Sequence, residues 1–325
     1  MALTLSVAMC TYNHAEFLGR ALEALVSQSR PADEIVVVDD GSSDSTPEVL
    51  ARFAAAHPSI RAVRNEQNRG VLEASKRAQG LAQGDFLYAA SSDDYLLPGA
   101  FERLLGLVER NPSAGIAFGK VVLTDPSGRV LGTPGPTCWT RALYATPEVY
   151  RDEFLSRESA ELSLCSSMIF RRAALAEIGG FRPELGPYGD TFAAHALGLR
   201  WGACYAPQSM VVFRANPGGF ARRIARQPGV ALGFVDRIVD AMRSPPCQGL
   251  FPETYVQRWA AERRRATIDQ ITRSLRDASD RALAAKKVLG ALGESVSAAE
   301  RAALLVLEAS QERLPRRVEE LLRAD

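Results

Sequence analysis

Apolar residues in the first hundred positions fall in short continuous runs, separated by stretches where they recur at helical spacing. Residues 3–9 form the first run, closed by the turn Cys10-Thr11-Tyr12-Asn13. Asn13 with Glu16 three residues on reads as a capping box. Phe17, Leu18, Ala21, Leu22 and Leu25 then keep helical spacing until Pro31. Ile35-Val36-Val37-Val38 is a β-branched run of the kind covered on both faces in a parallel sheet. Thr46-Pro47-Glu48 opens a second helix, with proline at its first position and an acid in its first turn. The pattern goes on to predict a strand at 60–63, a helix at 71–82 and a strand at 86–90. Strands alternating with helices of this length predict βαβ units on a mostly parallel sheet, with right-handed crossovers.

After Asp94 the alternation loosens. Pro98-Gly99 precedes a predicted helix to Arg110, and 115–123 reads as a strand. Asp125-Pro126-Ser127-Gly128 is a turn that predicts a hairpin. Residues 132–136 are rich in Gly and Pro and predict a loop. Residues 162–170 read as a strand, 172–178 as a helix stopped by Gly179-Gly180, and 203–213 as a last strand. From Thr254 the chain turns to Ala, Arg, Glu and Leu. Ile268, Ile271, Leu275, Ala278 and Ala282 keep helical spacing. Ser297 and Glu300 form another capping box, before Ala303, Leu304 and Leu307. Pro315 starts a final short helix with Val318, Leu321 and Leu322. The expected organisation is an α/β domain over 1–225, divided into halves 1–98 and 99–225, with a helical C-terminal extension over 226–325.

In an open sheet of this type ligands bind beyond the carboxyl ends of the strands. Thr11, Tyr12, Asn13, Asp39, Asp40, Asp93 and Asp94 all fall there. Two adjacent carboxylates cannot both be buried without a partner. Hard oxygen ligands at a strand end suit Mg²⁺ or Mn²⁺ carrying phosphate groups, and a solvated surface turn is the other reading of Asp93-Asp94.

Composition narrows the classes. Hydrophobic content of 46% and charged content of 24% are those of a globular protein. A formal charge of +1 gives no electrostatic reason to expect nucleic acid. No apolar run approaches the ~20 residues of a membrane span. The N-terminus enters a strand pattern with no basic region or cleavage site before it. Cys10, Cys138, Cys165, Cys204 and Cys247 are odd in number and scattered, without zinc or disulfide spacing. The expected location is therefore cytoplasmic, with the inner face of a membrane as an option.

Ser6-Val7-Ala8-Met9-Cys10-Thr11-Tyr12-Asn13 followed by Val36-Val37-Val38-Asp39-Asp40-Gly41-Ser42 resembles the family 2 glycosyltransferases. Ser91-Ser92-Asp93-Asp94 with Pro98 resembles that family's metal motif, and Asn68-Arg69-Gly70 its segment near the nucleobase. Ile178-Gly179-Gly180-Phe181 and Gly189-Asp190 resemble the segments before and around its catalytic base. The resemblance covers roughly residues 3 to 220. It implies a GT-A fold, a Rossmann-like mostly parallel sheet between helices, and an inverting transfer of sugar from a nucleoside diphosphate to a hydroxyl acceptor. It implies a UDP- or dTDP-sugar donor, a saccharide, lipid-linked or other acceptor, and Mn²⁺ or Mg²⁺, in the setting of bacterial surface polysaccharide or glycoconjugate synthesis.

The site roles follow from that resemblance. Asp40 accepts the N3–H of a pyrimidine base, Thr11 and Tyr12 cradle base or ribose, and Arg69 approaches the base. Asn13 caps the first helix, with a ligand contact beside it. Asp39 either touches the nucleotide or orients its loop. Asp93 meets ribose or donor-sugar hydroxyls and Asp94 holds the cation. Many relatives carry a further acid where Ser91 stands. Asp190 is the candidate general base. Arg214 pairs with phosphate or makes a salt bridge. Asn216 stands where the family often has histidine, and a contact to metal or diphosphate is expected of it. Trp139, Tyr144 and Trp201 line an acceptor pocket or pack the core, and His195 is structural. Arg263-Arg264-Arg265 meets anionic lipid or is a solvated helix face, and the C-terminal helices offer a homodimer contact. Two rivals stand beside this reading. One is a non-catalytic nucleotide-sugar-binding or assembly subunit. The other is a nucleotidyltransferase, which would bring a Gly-rich basic loop that Thr11-Tyr12-Asn13-His14 does not supply.

Overall fold

The computed structural model describes residues 3–157, 165–216, 218–225 and 227–277. The first half is a run of βα units: β1 (Leu5–Thr11), α1 (Ala15–Val26), β2 (Glu34–Asp39), α2 (Thr46–Ala56), β3 (Ile60–Arg64), α3 (Val71–Leu81) and β4 (Phe86–Ser91). Next come β5 (Tyr95–Leu96), α4 (Ala100–Arg110), β6 (Ile116–Thr124), β7 (Val130–Gly132) and β8 (Leu143–Ala145). Helix α5 (Pro147–Val149) runs on as a π-helical turn over Tyr150–Leu155. The chain continues through β9 (Met168–Arg171), α6 (Arg172–Glu177), α7 (Gly189–Trp201) and β10 (Ala203–Arg214). It ends in α8 (Phe220–Ala225), α9 (Pro228–Arg243) and α10 (Glu253–Asp277).

All the strands join one sheet in the order β3-β2-β1-β4-β9-β6-β10-β5, with β7 beside β6 and β8 beside β10. Strand β1 lies between two parallel neighbours, Val7 facing Ile35 on one side and Tyr88 on the other. β2–β3 and β6–β10 are parallel too, whereas β9 runs antiparallel to both β4 and β6. The sheet is thus mostly parallel with helices on it, the α/β architecture that the alternation predicts. Leu5, Val7 and Met9 of β1 and Val36, Val37 and Val38 of β2 are all buried, as continuous apolar strands in such a sheet require. Phe101, Leu104, Leu105 and Val108 form the apolar stripe by which α4 covers β6 and β10.

Several elements depart from expectation, and β8, α5 and α7 fall where the pattern predicts none. Asn13 does not cap α1: the cap position is His14, and Asn13 has a positive φ of 50° with its side chain turned to another loop. β9 is shorter than the predicted 162–170 strand and follows a 3₁₀ turn at Cys165–Ser167. The two residues of β5 had no signal in the pattern. The hairpin at Asp125-Gly128 forms as expected between β6 and β7. Val235, Ile238 and Met242 of α9, with Tyr255, Val256 and Trp259 of α10, belong to the same hydrophobic core as the sheet. The predicted helices around Ser297, Glu300 and Val318 lie outside the described residues. No helix among the described residues is long and apolar enough to cross a membrane.

Candidate functional site

A cleft of about 730 Å³ opens beyond the carboxyl ends of β1, β2, β4 and β10 and over the first turn of α7. Of the residues singled out in the sequence, Thr11, Tyr12, Asp40, Asp93, Asp94, Asp190 and Asn216 line it. Asn13, Asp39, Arg69, Arg214, Trp139 and Trp201 do not.

The β1 and β2 ends form one wall. Asp40 is buried, and its carboxylate accepts hydrogen bonds from Asn65 Nδ2 (2.6 Å) and from the backbone N–H groups of Arg69 (3.0 Å) and Gly70 (2.8 Å). It therefore clamps the 65–70 segment against the β2 end, which brings Arg69 to the site by its backbone while its side chain is exposed. Gly41 must be glycine here: φ is +75°, and a Cβ would sit 2.9 Å from the Gln67 carbonyl carbon. Asp39 does not line the cleft. It accepts from the Ser42 N–H (3.0 Å) and lies 3.4 Å from Arg64 Nε. Of its two expected roles, orienting the loop is the one that its contacts serve. Asn13 likewise ties loops together, its Oδ1 accepting from the Ser43 N–H (2.8 Å) and its own N–H donating to Ser42 Oγ (2.9 Å). The Thr11 hydroxyl, by contrast, is buried at the cleft with no hydrogen-bond partner among the described residues, and Tyr12 is 42% exposed beside it.

The β4 end supplies the acidic centre. Asp94 is 5% exposed; its Oδ1 accepts the Arg214 backbone N–H at 2.9 Å, whereas its buried Oδ2 has no hydrogen-bond partner among the described residues. Burial, and then the charge of Asp93, push the Asp94 carboxyl up to about 8, against the pull of Arg214. Asp93 is partly exposed and accepts from Ser91 Oγ at 2.5 Å. A buried carboxylate oxygen left unpaired beside a second carboxylate is what a cation would answer. No group of three or more His, Cys, Asp or Glu among the described residues could hold a metal by itself. The donor set therefore fits a hard cation of the Mg²⁺ or Mn²⁺ type that takes one or two carboxylates here and its other ligands from phosphate and water. The Arg214 guanidinium lies 4.6 Å over the Phe17 ring and donates to the Pro126 carbonyl. The Arg214 backbone N–H holds Asp94 Oδ1, and the charge of Arg214 draws the Asp94 carboxyl down.

The same cleft is lined by Asp190, in the first turn of α7 after a 3₁₀ turn over Pro183–Tyr188. Its Oδ1 accepts the Thr191 N–H at 2.6 Å, and the Cys165 thiol bonds to the same carboxyl. Burial raises its pKa above the ordinary carboxylate range despite those bonds. A carboxyl of raised pKa at a cleft wall has the character of a general base. His195, on the same helix, points into the core, its Nδ1 2.9 Å from Tyr150 Oη, and burial pushes it down to about 3, so it stays neutral.

Residues 6–178 match the model of the glycosyl transferase family 2, which is more than half of the chain. The chain belongs to glycosyl transferase family 2. Among its relatives is an uncharacterized protein of Mycobacterium tuberculosis, 23% identical over 66% of this chain and 60% of that one. The chain thus spans about 60% of the length of this relative. The succinoglycan biosynthesis protein ExoO of Rhizobium meliloti is 34% identical over 38% of this chain and 34% of its own. The crystal structure of S. aureus TarS residues 1–349 with UDP-GlcNAc superposes with a TM-score of 0.68 at 18% identity, covering 99% of this chain and 92% of that one. That likeness shows a shared GT-A-type fold. Asp190, Arg214 and Asn216 all lie beyond the matched family segment.

Within this family fold the aromatic residues expected at an acceptor pocket are placed elsewhere. Trp139 is 4% exposed, stacked 5.1 Å from Phe154 and close to Phe118, Tyr150 and Tyr205, with its Nε1–H donating to Glu153 Oε2 at 3.0 Å. Trp201 sits by Gly115 at the opposite end of the sheet, where its carbonyl accepts from Tyr144 Oη. Neither ring lines the cleft, and Tyr144 does not either. Trp139→Ala is accordingly expected to cost about 3–5 kcal/mol of stability in denaturant unfolding and to leave nucleotide affinity unchanged. A selective loss of ligand affinity would return Trp139 to the site. Sequence reasoning passed over His14, Lys76, Arg182, Phe213 and Arg223, which all line the cleft. Phe213 is 38% exposed there. Only its place just before Arg214 at the end of a strand could have marked it.

Proposed function

We propose that the protein is an inverting glycosyltransferase that moves a sugar from a UDP- or dTDP-sugar to a hydroxyl acceptor, in the synthesis of a polysaccharide or glycoconjugate. One observation carries the reading. Asp94, with a buried oxygen that has no hydrogen-bond partner among the described residues, and Asp190, with its raised carboxyl, line a single cleft from separate elements, so that leaving group and acceptor can be served by different acids. The family supports glycosyl transfer, ExoO is named for succinoglycan biosynthesis, and TarS was crystallised with UDP-GlcNAc.

In the proposed reaction the Asp40-clamped segment and the Thr11 hydroxyl hold the base and ribose. Asp190 takes the proton of the acceptor hydroxyl as its oxygen bonds to the anomeric carbon. The bond from that carbon to the diphosphate oxygen breaks, and the nucleoside diphosphate leaves with the electron pair. A Mg²⁺ or Mn²⁺ ion held by Asp94, with Asp93 beside it, would neutralise charge on the diphosphate. No covalent sugar–enzyme intermediate is required. Residues 1–98 form the proposed nucleotide half and 99–225 the acceptor half.

A thermal-shift series with UDP, dTDP, GDP and ADP, with and without Mn²⁺, tests the donor assignment. UDP or dTDP should raise the melting temperature most, and more with Mn²⁺ than with EDTA. A GDP or ADP preference would overturn the pyrimidine assignment. Ser91 in place of an acid favours one alternative, a nucleotide-sugar-binding subunit without turnover. Release of UDP from a UDP-sugar excludes it.

A further inference from the structure

Helix α7 carries Asp190 and is buried on nearly every face, from Thr191 and Phe192 through His195 to Leu199. A helix of that kind needs cover on both sides. One cover is the core of the sheet domain. The other is built by the C-terminal helices, whose composition suggests only an appendage. The Phe192 ring stacks on Phe251 (5.7 Å, 17° between planes), and His195 meets Tyr255 edge-on (5.7 Å, 76°). Tyr188, two residues before Asp190, packs edge-on against Trp259 (5.6 Å, 88°). The Arg263 guanidinium lies over both of those rings, 5.3 Å from Tyr188 and 5.9 Å from Trp259.

Helix α9 closes the turn that leads into the helix. Arg237 Nε donates to the Glu184 carbonyl at 2.7 Å. Gly186, at φ +59°, approaches Phe234 so closely that a Cβ would stand 2.3 Å from its ring. The backbone from Glu184 to His195, with Asp190 at its centre, is therefore held from outside by residues 234–263. All of this lies beyond residue 178, where the family match ends.

We propose that Tyr255, Trp259 and Arg263 are positioning residues: the C-terminal helices fix the first turn of α7 and thereby the direction in which Asp190 presents its carboxylate to the cleft. This rests on the reading of Asp190 as the base. Aromatic faces and a cation stacked on them set orientation through packing, and small misplacements of a reacting group cost large factors in rate.

The test uses the full chain with Trp259→Ala, Trp259→Phe and Arg263→Met, beside Asp190→Asn. UDP affinity is measured by calorimetry, turnover by UDP release from UDP-N-acetylglucosamine, and the Asp190 carboxyl by ¹³C titration, assigned by its absence in Asp190→Asn. Trp259→Ala and Arg263→Met should lower turnover about 10- to 100-fold with UDP affinity unchanged. The Asp190 titration should move down toward the ordinary carboxylate range as water reaches the helix start. Trp259→Phe should restore both. Folded variants with unchanged turnover and an unchanged Asp190 titration would overturn the inference. So would UDP affinity falling in step with turnover, since that reports general destabilisation. If Trp259→Ala does not fold, Arg263→Met decides. If UDP-N-acetylglucosamine is not turned over by the wild type, the titration decides. Full activity in Asp190→Asn would instead sink the base assignment, leaving the titration to judge whether the helices position that residue.

Discussion

Asp190→Asn is expected to reduce sugar transfer by about 10²–10⁴-fold, the usual worth of a positioned general base, while UDP binding stays at the wild-type level. The substitution is nearly isosteric. Asparagine Oδ1 can still accept the Thr191 N–H that holds Asp190 in place, so the first turn of α7 keeps its geometry and only the proton acceptor is lost. The donor contacts proposed above are elsewhere in the cleft, at Thr11 and the Asp40-clamped segment. The pH profile adds a second handle. Burial holds the Asp190 pKa above the ordinary carboxylate range, and only the deprotonated form accepts a proton. Wild-type turnover should therefore rise with pH through that raised value and fall below it. The stability linkage has the opposite sense. The folded state binds the Asp190 proton more tightly than the unfolded chain, so this group's contribution is full below the unfolded pKa and is lost as pH rises through the folded one. Wild-type turnover in the Asn variant would remove Asp190 from the mechanism.

How far the sequence could be read follows from which contacts are local. The alternation of apolar runs with helical spacing marks β1 to β4 and their helices because each burial pattern lies within ten residues. The same logic carries Asp40, Asp93 and Asp94 to the cleft, since a strand end in a parallel sheet is a defined place. The errors involve partners that are distant in sequence. Asn13 followed by Glu16 looks like a capping box, but its side chain is claimed by Ser43, 30 residues on. The contacts of Asp39 with Arg64 and of the Arg214 guanidinium with Phe17 have no local mark either. Tryptophan carries no local mark of whether its ring meets ligand or core, and Trp139 went to the core because Phe118, Phe154 and Tyr205 converge on it. Helix α7 has hardly any periodicity to read because both its sides are covered. The Ala-, Arg- and Glu-rich composition after Thr254 conceals Tyr255 and Trp259, the residues that bind α10 into the fold.

Asp94→Asn is expected to abolish the gain in UDP affinity that Mn²⁺ gives and, in EDTA at pH 8 or above, to stabilise the fold by roughly 1–3 kcal/mol. Both effects come from one oxygen. Asp94 Oδ2 is buried with no hydrogen-bond partner among the described residues, and Oδ1 is satisfied by the Arg214 N–H, a bond that asparagine can keep. Without a cation the ionised carboxylate is a buried charge beside Asp93, which is why its pKa is pushed up to about 8. The folded state then holds a proton that the unfolded chain releases near 3.8, so metal-free stability from Asp94 is full below that value and is lost as pH rises to about 8. The neutral variant removes that slope. Cation binding must displace the same proton, so Mn²⁺-dependent UDP affinity in the wild type should strengthen as pH rises to about 8 and release protons on binding. With two acids at most at the site, phosphate oxygens have to complete the coordination, and Mn²⁺ alone should bind far more weakly than Mn²⁺ with UDP. Two results would break this account: a Mn²⁺ gain that survives in Asp94→Asn, or equal metal-free stability of variant and wild type at pH 8. The residue would then be a structural carboxylate, stabilised by the Arg214 N–H and charge, rather than an acid kept unpaired in the fold until cation and diphosphate arrive together.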